Sequence, residues 1–325
     1  MVREDAAPAP ATQFATTAVR LQRIEAVVNP ASGGVGPGAA DALRAIIADF
    51  GLSANVTEAA PNQIEAVLTA AVAAKPDVLI ILAGDGTARL AAELAGPDGP
   101  LLAPLPGGTM NMLPRALYDT VDWRMAVTAA LTHGQARPVS GGRVGGRAFY
   151  VAAILGSPAL WADAREAVRS HKLKLALQRA ERAWKRAFAG RLHFDLADDR
   201  LRKAEALTLM CPLVSRALGR DDGLEADALD PHGAAEAFRL GLRAAFGGLL
   251  GDWRKDPSVT TEFCRSGSAW GRGGLPAILD GEPHRFPRRV QFAFEPVAFR
   301  ALAPPKAASP EIAASVIGEA ADAVQ

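Results

Sequence analysis

The chain has 325 residues, 49% hydrophobic and 22% charged, enough for one large or two medium domains around a substantial core. A formal net charge of +1 gives no global field for nucleic acid, and no nucleic-acid partner is expected. The two cysteines, Cys211 and Cys264, lie far apart without metal-ligand spacing, which argues against a disulfide framework and fits a reducing cytoplasm.

Residues 1–22 are rich in Ala, Pro and small polar residues and read as a mobile segment, as does the tail from 304 to 325. The start carries acids early and no apolar core, so no secretory signal is expected. No apolar run reaches membrane-spanning length, which leaves only peripheral membrane contact.

From Ile24 to Val28 runs a short β-type stretch. Helical spacing follows over Ala39 to Phe50, with Leu43, Ile46, Ile47 and Phe50 on one face and Gly51 as the stop. A strand is predicted over Leu52–Thr57, a helix over Asn62–Ala74, and a continuously apolar strand over Asp77–Leu82. Thr87–Leu94 reads as helix, Leu101–Leu105 as strand, and Asn111 opens another helix through Leu117. Strands alternating with helices predict right-handed βαβ units in a parallel sheet.

Beyond about Gly134 the texture changes. "ARPVSGGRVGGRAFYVAAIL" predicts two strands around a Gly-Gly turn, and "LHFDLA", "AEALTLM", "SVTTEFC" and "RVQFAFE" are further short strand-like runs. The expected architecture is an α/β domain over 23–135 with a parallel sheet and flanking helices. An antiparallel β-sandwich domain over 136–303 follows, with a helical insertion near 160–190.

Three glycine-bearing loops follow strands of the first domain: "NPASGG", "AGDGT" and "PGGTMN". In an open parallel sheet such loops form the ligand crevice. Where they enter helices, free N–H groups and the helix dipole favour an anion. One such loop is an ordinary tight turn; three on one edge point to phosphate. Neither a G-x-x-x-x-G-K-[ST] loop nor a convincing G-x-G-x-x-G is present, and no G-x-S-x-G elbow supports a hydrolase. The five histidines lack ligand spacing. Asp85, between two glycines, is either an N-cap for the next helix or a carboxylate for Mg²⁺ handling or proton chemistry.

These motifs resemble the diacylglycerol kinase and sphingosine kinase superfamily, including its bacterial lipid kinases, and the first domain is also similar to that of NAD kinases. The resemblance rests on Asn29-Pro30-Ala31-Ser32-Gly33, Gly84-Asp85-Gly86-Thr87, Pro106-Gly107-Gly108-Thr109-Met110-Asn111 and "LDGE" at Leu279–Glu282. It implies nucleotide-phosphate binding by Asn29, Pro30, Ser32, Gly33, Thr57, Gly84, Asp85, Gly86, Thr87, Gly108, Thr109 and Asn111. It also implies a general base at Asp280, with Asp85 as the alternative, and places Glu282 in the same site. "GRDDGLEADALD" resembles a turn that holds a structural Mg²⁺ in some members, through Asp222 and carbonyls of Gly219 and Leu224; an acidic hairpin turn is the competing reading. Four positions depart from the family pattern: Ala83, Arg89, Leu90 and Met112.

Between Trp161 and Arg191 arginines and lysines alternate with Leu, Trp and Phe, the composition of a helix on an anionic bilayer or of a solvated helix over the sheet. Together these features imply an ATP- and Mg²⁺-dependent kinase phosphorylating a lipid hydroxyl at a membrane surface. A kinase with a soluble acceptor and a catalytically weakened nucleotide- or lipid-binding protein are the alternatives. The oligomeric state, a homodimer included, is not fixed by the sequence.

Overall fold

The computed structural model describes residues 19–156, 191–198, 200–215, 220–230 and 257–305. The expected helical insertion, nearly all of both terminal segments, and Gly219 lie outside the described residues.

The first half comprises β1 (Ile24–Val28), α1 (Ala39–Asp49), β2 (Ala54–Glu58), α2 (Ile64–Ala73), β3 (Val78–Ala83), α3 (Asp85–Ala95), β4 (Leu101–Pro106), α4 (Met112–Tyr118) and α5 (Trp123–His133). Its strands lie parallel in the order β2-β1-β3-β4. Every residue of β3 and β4 is buried, as expected for strands covered on both faces. Gly51, at φ 68°, ends the first helical segment in the left-handed conformation that glycine adopts without strain. Helix α5 is absent from the expected elements, although its signals are present. Asp122 accepts the Arg124 amide at 2.7 Å as an N-cap, and Trp123, Ala126, Val127 and Ala130 recur at helical spacing on the buried face.

The second half contains β5 (Gln135–Val144), β6 (Arg147–Phe149), β7 (Ala152–Gly156), β8 (Leu192–Asp195), β9 (Arg202–Ala204), β10 (Ala206–Met210), β11 (Leu224–Leu229), β12 (Val259–Cys264), β13 (Ser266–Trp270), β14 (Leu275–Leu279), β15 (Glu282–Phe286) and β16 (Arg289–Ala303). Strands β5 and β6 flank Gly145 and Gly146, both at positive φ, in the expected Gly-Gly turn. One antiparallel sheet runs β12-β11-β10-β7-β14-β15. Between it and the second sheet lies a core that includes Phe149, Phe194, Leu207, Leu209, Leu279 and Phe292.

That second sheet is continuous with the parallel one, in the order β2-β1-β3-β4-β16-β13-β8-β9. Strand β16 makes the join. Its first part pairs with β13 and β5, its register shifts between Glu295 and Phe299, and Ala301 then pairs in parallel with Leu102 of β4. Pro104 and Pro106 of β4 have no N–H to donate, which fits a join limited to one paired position.

Phe299, fully buried just past the irregularity, packs edge-on against Tyr150 at 5.1 Å between ring centroids. Phe299→Ala should cost about 3–5 kcal/mol in urea unfolding. Because β16 belongs to both halves, the loss should appear as one shifted transition by fluorescence and by circular dichroism. Two separated transitions would show that the halves unfold independently.

Candidate active site

The glycine loops meet at the carboxyl edge of the parallel strands. The Asn29 side chain accepts the Ala31 amide at 3.1 Å, and its carbonyl accepts the Ser32 amide, so Pro30 and Ser32 lie in a compact turn. The Gly34 amide donates to the Gly107 carbonyl at 3.0 Å, joining this turn to the loop after β4. Thr109 faces Gly33, where an added Cβ would lie 3.7 Å from its Oγ1. A Cβ on Gly108 would come within 2.8 Å of the Gly84 Cα, so these two loops touch backbone to backbone and no side chain fits between them. Asn111 fixes the loop from within: its Oδ1 accepts the Gly108 amide at 2.7 Å and its Nδ2 donates to the Gly108 carbonyl. Its own backbone is left-handed, a conformation that asparagine tolerates. Thr57 lies within β2, beside Val27, rather than on the loop after it.

Asp85 is not the N-cap of its helix. Gly84 holds that position with extended backbone, and Asp85 is the first helical residue, followed by Gly86 and Thr87 in the first turn. The Asp85 carboxyl is pushed up by burial, against the opposing pull of the Asn111, Leu113 and Met112 amides at the start of α4. Its Oδ1 is buried and has no hydrogen-bond partner among the described residues.

Asp280 sits opposite. Leu279 and Glu282 pair across a two-residue turn in which Asp280 (φ 46°) and Gly281 (φ 88°) both take positive φ, the requirement of a type I′ hairpin. The carboxylate, in a residue only 7% exposed, accepts three amides: Tyr150 N on Oδ2 at 2.7 Å, and Val151 N and Ala152 N on Oδ1 at 2.9 Å each. Those bonds alone would depress its pKa. Burial outweighs them and, helped by the charge of Asp85, raises it to about 6.

The hairpin closes on the first half at three further points. A Cβ on Gly281 would strike the Met110 Sδ at 2.8 Å, one on Gly86 would collide with the Glu282 Oε1, and Arg89 Nη2 donates to Glu282 Oε2 at 2.8 Å. Asp280, Glu282, Asp85, Gly86, Met110 and Met112 therefore share one cleft with the glycine loops.

Residues 23–144 match the family model described as the diacylglycerol kinase catalytic domain. That first half of the chain is similar to the diacylglycerol kinase superfamily. A crystal structure of a diacylglycerol kinase from Bacillus anthracis str. Sterne is similar to this chain with a TM-score of 0.65 at 15% identity, covering 88% of this chain and 98% of that one. A second structure from the same organism, of a protein named as a diacylglycerol kinase, has a TM-score of 0.66 at 18% identity with the same coverage. At these identities the likeness is one of fold. No curated protein sequence matches the chain.

Within residues 23–144 the four departures divide by location. Ala83 lies in the apolar core and Leu90 packs against it; Met112 packs against the same core but brings its Sδ toward Gly281, and Arg89 reaches Glu282 in the cleft. Of the expected Mg²⁺ ligands, Asp222 and Leu224 lie among the described residues and Gly219 does not. Arg220 and Arg265 both ion-pair with the Asp222 carboxylate and hold its pKa down at about 2, while Leu224 lies in β11 beside Cys264. Two guanidiniums already neutralise that carboxylate, and no group of three or more His, Cys, Asp or Glu is placed to hold a metal among the described residues.

Two features of the site escaped the sequence reading. The Tyr150–Ala152 amides carry no side-chain signature, and Arg89 stood out only as a departure from a pattern. The raised pKa of Asp280 has a measurable consequence. The native state holds this proton more tightly than the unfolded chain, so its contribution to stability is full below about pH 4 and declines up to about pH 6, by about 2–3 kcal/mol in all. Urea unfolding should show the wild type losing that amount relative to Asp280→Asn across the window. A pH-independent difference between the two would contradict the assignment.

Proposed function

We propose that this protein is an ATP-dependent lipid kinase, with Asp280 the base that receives the acceptor hydroxyl's proton. The observation that carries the reading is the placement of a buried carboxylate, with a pKa raised to about 6, across from the glycine loops and Asp85. Three of its four lone-pair sites are taken by amides, which leaves Oδ2 one site for a hydroxyl. A base ionised just below neutral pH suits proton removal under cellular conditions.

The loops fit a nucleotide's phosphates. Gly84 and Gly108 lie backbone against backbone, and α3 begins directly after Gly84, so the positive end of a helix dipole adjoins these loops. Asp85, with a buried Oδ1 lacking a partner, fits a hard cation; Mg²⁺ is commonly held by one or two carboxylates together with substrate phosphates. Bound there, Mg²⁺ would supply charge neutralisation on the transferred phosphoryl. Asn29, Asn111 and the turn at Pro30–Gly33 keep the loops in shape, and Thr87 and Thr109 stand beside them. The Asp280–Gly281 turn holds the base still, so the acceptor oxygen meets it without reorganisation.

A lipid acceptor is supported by the thioethers of Met110 and Met112 against Gly281, with Met110 42% exposed beside the base. The basic, Leu- and Trp-bearing segment from 161 to 191 supplies the charge for peripheral contact with an anionic bilayer. No helix among the described residues is long and apolar enough to cross a membrane.

The test is transfer of label from [γ-³²P]ATP to extracted lipids in mixed micelles with Mg²⁺. Labelled lipid is expected, with activity rising as pH passes through about 6 and falling by about a hundredfold or more in Asp280→Asn. Label on a water-soluble alcohol but on no lipid would sink the acceptor assignment. ATP binding without any turnover would make this a nucleotide-binding protein instead.

A further inference from the structure

The ion pair between Arg89 and Glu282 joins two elements that no backbone hydrogen bond connects. Arg89 lies one turn after Asp85 on α3, so the two side chains share a face of that helix. Asp85 looks toward Asp280, and Arg89 reaches Glu282, two residues farther along the same hairpin. The guanidinium is only 18% exposed and is held from two sides, by Glu282 at 2.8 Å and by Glu93 at 3.3 Å.

Four carboxylates, those of Asp85, Glu93, Asp280 and Glu282, converge on this region, and Arg89 is ion-paired with two of them. His284, 4.0 Å from Glu282, is no substitute, because burial and the nearby Arg147 favour its neutral form. The three amide bonds of Asp280 tie the turn to the Tyr150–Ala152 segment of its own half, not to α3. Toward α3 the polar attachment is the Arg89–Glu282 pair.

We propose that Arg89 is a positioning residue that clasps the Glu282 end of the hairpin to α3 and so sets Asp280 at its working distance from the glycine loops. Its catalytic consequence rests on the kinase reading above; the clasp itself does not. A two-residue turn has little slack, so displacement of Glu282 carries Asp280 with it. Partly exposed ion pairs contribute little to global stability, so loss of the clasp should register in alignment rather than in folding.

The experiment compares wild type, Arg89→Met, Arg89→Lys and the swap Arg89→Glu with Glu282→Arg. In Arg89→Met, kcat for lipid phosphorylation should fall by about ten- to a hundredfold, with the KM for ATP and the unfolding midpoint unchanged. Lysine should recover most of the loss. Hydrogen exchange of the Gly281, Glu282, His284, Arg285 and Phe286 amides in the protein without substrate should quicken by about tenfold in Arg89→Met and slow again in the swap. Should the wild type phosphorylate no lipid, the kinase reading fails and the exchange arm alone decides the clasp. Unchanged exchange in Arg89→Met, or an unchanged kcat in an active enzyme, overturns the proposal.

Discussion

The cleft depends on one buried carboxylate held by three backbone amides while a second carboxylate faces it. Amides at 2.7–2.9 Å would ordinarily make Asp280 a strong acid. Burial reverses the outcome, and Asp85 adds to it from across the cleft. Asp85 is itself pushed up, with one oxygen unpartnered. Two acids disfavoured as anions in one crevice are poor structural economy and good preparation for a cation and a proton. Local rules of polar satisfaction are broken here while the surrounding core obeys them, as expected of a working site.

The elements legible in the sequence were those with unambiguous periodicity. Val78–Ala83 is apolar throughout and is buried throughout. Leu43 and Ile47 face the core as their spacing requires. Helix α5 went unread because its alanine-rich face has weak contrast, although Asp122 marks its start. The long reach of β16 had no local signature at all. Which strand its C-terminal end would meet is decided by tertiary pairing, and a run such as "RVQFAFE" reads the same in either half.

The site was legible as a set of loops but not as a set of partners. Glycine at 84, 108 and 281 announces close backbone approach, and the structure shows what approaches: Gly108 meets Gly84, and Met110 meets Gly281. Charge pairing has no such signature over long sequence separations. Asp222 reads equally as a cation ligand or a turn residue, and nothing near it in sequence announces its ion pair with Arg265. Arg89 reads as a lost polar group until Glu282 is found at its end.

The continuous sheet explains why alignment is left to so few side chains. Strand β16 fixes the two halves to one another at the floor, through β4, β5 and β13. The hairpin bearing Asp280 ends an antiparallel sheet, with β15 at its edge, so the turn is anchored on one side only. Phosphoryl transfer draws on positioning and charge neutralisation more than on covalent chemistry, and misplacement by about 1 Å can cost about a hundredfold in rate. A rigid floor with a singly anchored turn concentrates that sensitivity in the contacts the turn makes with α3 and the loop after β4. Those contacts are Glu282 on Gly86 and Arg89, and Gly281 on Met110 and Met112. Arg89 and Met112, two of the four positions that depart from the resembled pattern, fall there.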